Sequence, residues 1–590
     1  MITYKKIYNK VATRLFSGSL LLAACSLMMV SCVDTLILPD DKTVDEDFWK
    51  SKSDVQLMVN GAYQRMLNAD VISRLIVWGD LRSEEMIPVA SITGTIKEDL
   101  EEINLGNTQT DNTFATWAAF YSVINRCNLV LQRAEAVMSE DPNYTNGDYL
   151  SDRAQMLALR SLCYFYLVRN FRDVPFITDA YSDSSQGRNV AQSSPDSVLT
   201  SCLSDLAEAE KNTVSASAYT DWRRVGYFTR DAINALQADI YLWLGSVQHS
   251  TTDYEQAVAY CDKIIASKKS QHIRKRGETT EKDYYLSEGM NAFYDLFINK
   301  NAEESILELQ FQYGTNDNAG TTQYFNHYNT NSGSVPYLYA SSIFKYGGEV
   351  YTSGSTLTDY RAMNNTYTNT AGATVTVGDF DGLRIRKYVA QSDYINPPSQ
   401  VATSPDYNST LDMNYIIYRL SDIMLMKAEA LTALASDDAD ASRLHAAFDL
   451  VKTVNLRSKQ TESDSLKWNT YSDGKSTMEN LILAERLREL AFEGKRWYDL
   501  MRYSYRHMEG VDYATTLAAQ NDAGRTPVAV YDEMLNLMKR KLSGKGNAVA
   551  AKMNTEPRLY MPVPLSDLNI SPLLRQNPSY SDNDNFNKNY

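Results

Sequence analysis

The sequence predicts a mainly α-helical protein: a helical-repeat scaffold with a large irregular, loop-rich insertion. Three observations lead to this prediction. Apolar residues recur at three- and four-residue spacing before about residue 310 and again after about residue 414. Between about 312 and 412 that spacing gives way to Gly, Ser, Thr, Asn and Tyr. The composition, 44 % hydrophobic and 22 % charged, is that of a chain with a large core.

Residues 1–31 have the layout of a bacterial lipoprotein signal peptide. Four basic residues precede an uncharged run of 16 residues from Leu15 to Val30, and Cys32 follows at the expected cleavage site. Cys25 lies in a tidier motif, but cleavage there would leave an apolar start, so we predict lipidation at Cys32. Several acyl chains on that cysteine would anchor the protein firmly in a membrane. The alternative is a secreted protein with an incidental cysteine.

Charge and hydropathy exclude two further classes. No segment after the leader approaches 18 uninterrupted apolar residues, which predicts that the mature chain, residues 32–590, has no membrane helix. The net charge of −15 and the pI near 5.0 argue against a nucleic-acid partner, because binding of a phosphate backbone depends on clustered Lys and Arg.

Cysteine and histidine spacing indicates neither a metal site nor a cofactor. No CxxC pair occurs, and the five histidines are scattered. We expect the four later cysteines to be small buried hydrophobic residues, with one interhelical disulfide left open: Cys127, Cys163, Cys202 and Cys261. The acidic run from Asp437 to Asp440 is expected to be a solvated turn rather than a calcium site.

Two consecutive helical patterns, Thr229 to Gly245 and Tyr254 to Ala266, predict a helical hairpin. Small and aromatic residues interlock across them, as in a tetratricopeptide-type repeat, although no strict 34-residue period is visible. The predicted helical scaffold extends over about 45–310 and 414–590, and the insertion over about 312–412.

The most heavily charged stretch, Ala484 to Ser504, predicts one amphipathic helix. Its apolar stripe, which includes Trp497, would face the core. The other face is expected to carry exposed ion pairs three or four residues apart: Glu485, Arg488, Glu489, Glu493, Arg496, Asp499 and Arg502. A catalytic carboxylate pair is the alternative, but nothing local separates one carboxylate from the arginines.

The insertion is rich in tyrosine. Across the chain Tyr outnumbers Phe by 40 to 17. A tyrosine offers a flat apolar face to the C–H face of a sugar ring and a hydroxyl for hydrogen bonds, so this composition favours a carbohydrate ligand. The alternative is that many of these rings only pack against helices and loops.

Six motifs in order give the chain a specific resemblance. They are Cys32-Val33-Asp34-Thr35-Leu36, DEDFWKSKSDVQLMVNGAY (Asp45 to Tyr63), LRSLCYFYLVRNFRDVPFI (Leu159 to Ile177), YRLSDIMLMKAEAL (Tyr418 to Leu431), ELAFEGKRWYDL (Glu489 to Leu500) and LYMPVPLSDLNISPLLRQNPSY (Leu559 to Tyr580). In combination the chain resembles the SusD/RagB family, the starch-utilisation-system D-like outer-membrane lipoproteins of Bacteroidetes.

The resemblance implies a single globular unit, although the length alone would suggest three or four domains. It also implies a non-enzymatic lipoprotein at the cell surface, anchored in the outer membrane. It implies capture of an oligosaccharide, or less often a peptide, and its delivery to a SusC-like TonB-dependent outer-membrane transporter. The rivals are a glycoside hydrolase and a purely structural or adhesive surface lipoprotein.

Two segments match the placement of the family's ligand face. The first is the loop after the first helix, which runs from Trp78–Glu85 to Gly106–Gln109. The second is Gln323–Tyr328 together with Pro336–Tyr339. We predict stacking by four tyrosines and orienting hydrogen bonds from two polar residues: Tyr324, Tyr328, Tyr337, Tyr339, Asp80 and Asn107. No tryptophan occurs between Trp78 and Trp117 or between Trp243 and Trp468, which disfavours starch and favours tyrosine stacking on another glycan.

Overall fold

The structure is a computed structural model of the 590-residue chain. It describes residues 48–181, 189–276, 284–287, 289, 291–325, 336–344, 350, 359–367, 383–389, 412–459, 461–542 and 544–580. The predicted signal peptide and Cys32 lie outside the described residues.

Helices dominate the described residues, as the sequence predicts. The α-helices are α1 Lys52–Met66, α2 Ala69–Ile76, α3 Thr95–Asn104, α4 Ala118–Glu140, α5 Asn146–Phe171, α6 Pro195–Asn212, α7 Arg223–Gly226, α8 Arg230–Gln248, α9 Thr251–Arg276, α10 Asn291–Phe293, α11 Ala319–Phe325, α12 Arg361–Asn365, α13 Leu420–Leu434, α14 Ala441–Arg457, α15 Lys475–Glu489, α16 Arg496–Arg506, α17 Leu517–Asp522, α18 Asp532–Lys539, α19 Gly546–Lys552 and α20 Leu565–Ile570. Two π-helical segments, Val77–Leu81 and Tyr294–Ile298, and several single 3₁₀ turns complete the set.

Local chemistry explains where the long helices begin. The hydroxyl of Ser51 accepts from the backbone of Asp54 at the start of α1, and the carboxylate of Asp54 accepts from the backbone of Ser51 in return. Thr145 and Asp148 form the same reciprocal box at the start of α5. These side chains satisfy N–H groups that have no partner within the helix.

Antiparallel helical hairpins form the scaffold. The α8–α9 hairpin is the predicted tetratricopeptide-like unit, and α9 also packs on α13, which pairs with α14. The hydrophobic core between these helices contains the largest fully buried rings among the described residues, including Trp78, Trp117, Trp243 and Trp497. The prediction of a mainly helical, tetratricopeptide-like fold is confirmed.

The strands are short and pair in twos. They are β1 Met86–Pro88, β2 Val174–Pro175, β3 Gln192–Ser193, β4 Ser305–Leu309, β5 Leu338–Ala340, β6 Thr366–Tyr367, β7 Arg384–Ile385 and β8 Tyr415–Arg419, and the antiparallel pairs are β1–β5, β2–β3, β4–β8 and β6–β7. Fully buried β4 and β8 pair Leu309 with Tyr415. The insertion therefore leaves and re-enters the scaffold at one place. The longest helix described within it, α11, has 7 residues.

The prediction of one continuous helix from Ala484 to Ser504 is wrong. Helix α15 ends at Glu489 and α16 begins at Arg496. Between them Phe492 and Gly494 have φ of 65° and 72°, in the left-handed region that a helix excludes. The chain therefore turns in the middle of the apolar stripe.

The predicted exposed face of that stretch is also buried, except for Arg488, which is half-buried. Glu485, Glu489, Glu493, Arg496, Asp499 and Arg502 are each at most 3 % exposed. Distant basic residues explain this outcome: Arg419 of β8 donates to both Glu489 and Glu493, and Arg361 of α12 donates to Glu485 and Glu489. Spacing along one segment cannot reveal partners that come from others.

The cysteine prediction is confirmed for the described residues. Cys127, Cys163, Cys202 and Cys261 are buried and free of disulfides. The Asp437–Asp440 turn is used locally, since Asp440 caps α14 and Asp438 accepts the backbone N–H of Lys475 at 2.8 Å. In the described ranges no helix is both long enough and apolar enough to span a membrane.

Candidate glycan-contact site

Pairing of β1 with β5 brings the two predicted ligand segments side by side. Ile87 lies opposite Tyr339 in this pair. Backbone bonds extend it at both ends: Val89 N–H donates to the carbonyl of Tyr337 at 3.0 Å, and Ser341 N–H donates to that of Glu85 at 2.7 Å. Local spacing cannot predict this pairing, because β1 and β5 are three residues each and some 250 positions apart.

Tyr337 and Tyr339 share one face of this strand pair. Both are half-buried, whereas Leu338 between them is fully buried, so the side chains alternate as the i, i+2 spacing predicts. Exposed Gln323 donates from Nε2 to the hydroxyl of Tyr337 at 2.8 Å. We call Tyr337, Tyr339 and Gln323 the tyrosine edge.

Tyr324 does not offer a stacking face in this structure, so the prediction is wrong for this residue. It is 3 % exposed, and its ring makes edge contacts with Tyr337, with centroids 5.4 Å apart, and with Phe114, at 6.5 Å. Burial raises the pKa of its hydroxyl well above the usual value. Because helix α11 packs on α2, the ring points into the core and supports Tyr337 from beneath. Tyr328 lies outside the described residues.

The prediction that Asp80 forms a hydrogen bond with the ligand is also wrong, because this residue is fully buried. Its carboxylate accepts the backbone N–H groups of Gly494 at 2.8 Å and Lys495 at 3.1 Å. Burial raises the pKa of Asp80 to about 7. Asp80 therefore holds the turn between α15 and α16 and cannot touch a ligand at the surface.

Asn107 lies half-buried in a polar loop after α3. Its N–H donates to the carbonyl of Glu102 at 2.8 Å, and its own carbonyl accepts from Gln109 Nε2 at 2.7 Å. The Glu102 carboxylate also accepts from Asn112 Nδ2 at 2.9 Å. Burial raises the pKa of Glu102 and of nearby Asp99. This loop is a network of polar groups that sequence reasoning found only in part.

Two buried glutamates of the charge cluster formed by α15 and α16, Glu489 and Glu493, have lowered pKa values. Three arginines hold the pKa of Glu489 well below its usual range despite burial, and Arg419 with Lys387 lowers that of Glu493. A general acid needs a raised pKa, so neither of these two glutamates is suited to that role. Within the described residues, no group of three or more His, Cys, Asp or Glu side chains could hold a metal ion.

Two family models match the chain and together span most of it. Residues 290–580 match the SusD family, and residues 38–242 match a model described as starch-binding associating with outer membrane. These regions contain the motifs quoted above, apart from the cysteine leader.

Relatives and solved structures agree with the models. The chain is 26 % identical over 493 residues to the SusD-like protein P38 of Formosa agariphila, covering 80 % of this chain and 88 % of the relative. It is 23 % identical to a SusD-like protein of Bacteroides ovatus, covering 96 % and 98 %. A SusD superfamily structure from Bacteroides vulgatus superposes with a TM-score of 0.63 at 18 % identity, covering 90 % of this chain and all of the other. The chain therefore belongs to the SusD/RagB family of non-catalytic binding proteins.

Proposed function

We propose that this protein is a cell-surface lipoprotein that captures oligosaccharides and delivers them to a partner SusC-like TonB-dependent outer-membrane transporter. One observation of the structure carries the proposal: two half-exposed tyrosines stand side by side on the β1–β5 pair, with an amide bonded to one of their hydroxyls. The family-model description of outer-membrane association supports the location.

The tyrosine edge suits a sugar for chemical reasons. An aromatic face packs against the C–H face of a pyranose, while the tyrosine hydroxyls and the Gln323 amide exchange hydrogen bonds with its hydroxyl groups. Tyr337 and Tyr339 are the proposed stacking residues. Tyr328 and Asn107 remain predicted contacts, because each belongs in sequence to one of the two predicted ligand segments.

The site is open, which sets its expected strength. Little of a bound oligosaccharide would be enclosed, and a flexible sugar loses conformational freedom on binding. We expect modest affinity, with dissociation constants in the micromolar to millimolar range, that is about 4 to 8 kcal/mol of binding free energy. Such affinity suits a protein that must release its ligand to a transporter.

The test is calorimetry of the wild type against neutral oligosaccharides, with product analysis of each mixture. The double variant Tyr337→Ala/Tyr339→Ala should lose most of the binding to the best glycan. The matched Tyr337→Phe/Tyr339→Phe variant keeps both rings, so it should retain stacking and lose only the hydroxyl contribution. Both variants are first compared with wild type by thermal unfolding.

Three results would count against this proposal. A folded Ala double variant that binds as tightly as wild type would remove the tyrosine edge as the contact site. Release of smaller sugars by the purified wild type would instead favour the glycoside hydrolase alternative, and binding of peptides but no glycan would favour the peptide-binding alternative.

A further inference from the structure

Trp222 is set apart from the other tryptophans by its exposure. All seven tryptophans of the chain lie in the described ranges, and five of them are buried. Trp468 is half-buried, whereas Trp222 is 45 % exposed. A single exposed apolar residue is common on a protein surface, but an exposed indole that neighbouring groups hold in place is suited to recognition.

Aromatic neighbours hold the indole in place. Trp222 makes an edge contact with Tyr227, with centroids 5.3 Å apart, and Tyr227 lies against Tyr63 at 5.0 Å. The hydroxyl of Tyr227 donates to Asn60 Oδ1 at 2.8 Å, and that of Tyr63 donates to Gln155 Oε1 at 3.2 Å. The three rings are thereby fixed to helices α1 and α5.

Gly226 allows the indole to lie close to the backbone. A Cβ atom at this position would stand 2.6 Å from Cε3 of Trp222 and 2.7 Å from Cγ of Gln310. The ring rests where only a glycine leaves room. Pre-organisation of this kind reduces the entropy lost when a ligand binds.

A planar ion pair flanks Trp222 in the sequence. Arg223 donates to the carboxylate of Asp221 from Nε at 3.0 Å and from Nη2 at 2.8 Å, and its guanidinium lies over Tyr219 at 5.1 Å. The two side chains are 46 % and 42 % exposed. An ion pair so exposed adds little to stability. It does present fixed donors and acceptors of hydrogen bonds to solvent.

We propose that Trp222, Tyr227, Asp221 and Arg223 form a second sugar-binding surface, the Trp222 platform, which takes a pyranose ring of a neutral oligosaccharide. The exposed indole stacks on the C–H face of the ring, and the carboxylate and guanidinium bond its hydroxyls. The charges of Asp221 and Arg223 balance each other, which favours a neutral sugar over an anionic one. The inference rests on the proposed function and adds a contact site around the short helix α7, outside the insertion.

Fluorescence quenching reports on this site directly. Because Trp222 is the most exposed tryptophan, acrylamide should quench it most, and a saturating glycan should protect it. The probes are maltoheptaose, cellohexaose, xylohexaose and mannohexaose, each tested by calorimetry in parallel. For the glycan that binds, Trp222→Ala should weaken affinity roughly tenfold, the order of loss for one aromatic anchor, and Trp222→Tyr should retain most of it.

Two further variants test whether binding depends on the position of the Trp222 indole or only on the presence of exposed apolar side chains. Gly226→Ala keeps the indole but displaces it, so it should weaken binding as Trp222→Ala does. Leu57→Ala removes another exposed apolar side chain, 61 % exposed on α1, and should leave binding unchanged. All variants are compared by thermal unfolding before the binding measurements.

The outcomes distinguish this inference from the proposed function. If a glycan binds wild type and Trp222→Ala equally and does not protect Trp222, the platform is overturned while the proposed function stands. If Trp222→Ala keeps full glycan affinity but loses assembly with the transporter, the surface is a protein interface and the inference is again overturned. If no glycan binds the wild type, the proposed function fails and the platform fails with it.

Discussion

The carboxylate of Asp80 accepts a hydrogen bond from the backbone N–H of Gly494 at 2.8 Å, joining two points that lie 414 positions apart. Gly79 lies directly against the same glycine. The π-helical segment after α2 is thereby fastened to the turn between α15 and α16. This contact links the first ligand segment to the most heavily charged part of the scaffold.

Gly79→Ala should be strongly destabilising. The added Cβ would stand 2.6 Å from Cα of Gly494 and closer still to its carbonyl, and a backbone cannot give way as a flexible side chain can. Gly61→Ala on α1 is the control, because its Cβ would meet nothing nearer than Arg126 Nη1 at 3.6 Å. Removing a mid-helix glycine should stabilise α1 by up to about 1 kcal/mol. Equal denaturant midpoints for the two variants would contradict the close approach.

Trp497→Ala should lower the free energy of unfolding by about 3 to 5 kcal/mol, the range for deleting a large buried aromatic. The side chain is fully buried, and the guanidinium of Arg82 lies 4.2 Å above its ring. The folded fraction should bind glycan like wild type. If unfolding were unchanged while binding disappeared, the assignment of this residue to the core would be wrong.

Glu489→Gln should lower the free energy of unfolding by about 3 to 5 kcal/mol, because it leaves buried cations without their charged partner. Its carboxylate accepts from Arg361 at 2.9 Å, from Arg419 at 2.5 Å and from Arg457. Asp522→Asn is the matched control, since its pair with Arg575 is more than half exposed and should contribute at most about 1 kcal/mol. Urea unfolding of both variants measures the difference, and similar losses would refute the burial argument.

Lys541 should make stability depend on pH in the alkaline range. Its Nζ donates to the carbonyl of Leu81 at 2.6 Å, and burial lowers its pKa from 10.5 to about 7. Between those pH values the unfolded chain holds a proton that the folded chain has released, so the stability of wild type should rise with pH. Relative to Lys541→Met, wild type should gain stability from pH 7 to pH 10 and show no further change below pH 7. Parallel pH curves from urea unfolding would exclude a lowered pKa.

Cys32→Ala should release the protein from the membrane fraction of its native host, because the acyl chains would be lost. Fractionation followed by immunoblotting is the measurement. Cys25→Ala is the control and should stay in the membrane. The reverse pattern would move the lipidation site to Cys25.

Local sequence patterns predict the helical class, the tetratricopeptide-like hairpin and the burial of Trp497. These features depend on local spacing, because residues three or four apart share one face of a helix whatever surrounds it. The same reasoning placed Tyr337 and Tyr339 on one side of an extended segment. Ordered motifs then identified the family, which the matches to family models confirm.

The residues that cover each face come from distant parts of the chain and become known only from the folded structure. Asp80 is buried because Gly494 and Lys495 donate to it, and Glu489 is buried because arginines from three other elements reach it. Opposite charges spaced three or four residues apart predict an exposed helix face. Partners from distant parts of the chain can nevertheless make burial of such a charge favourable. Periodicity specifies which residues lie together on a face, whereas the contacts that bury that face come from parts of the chain that local spacing cannot relate to one another.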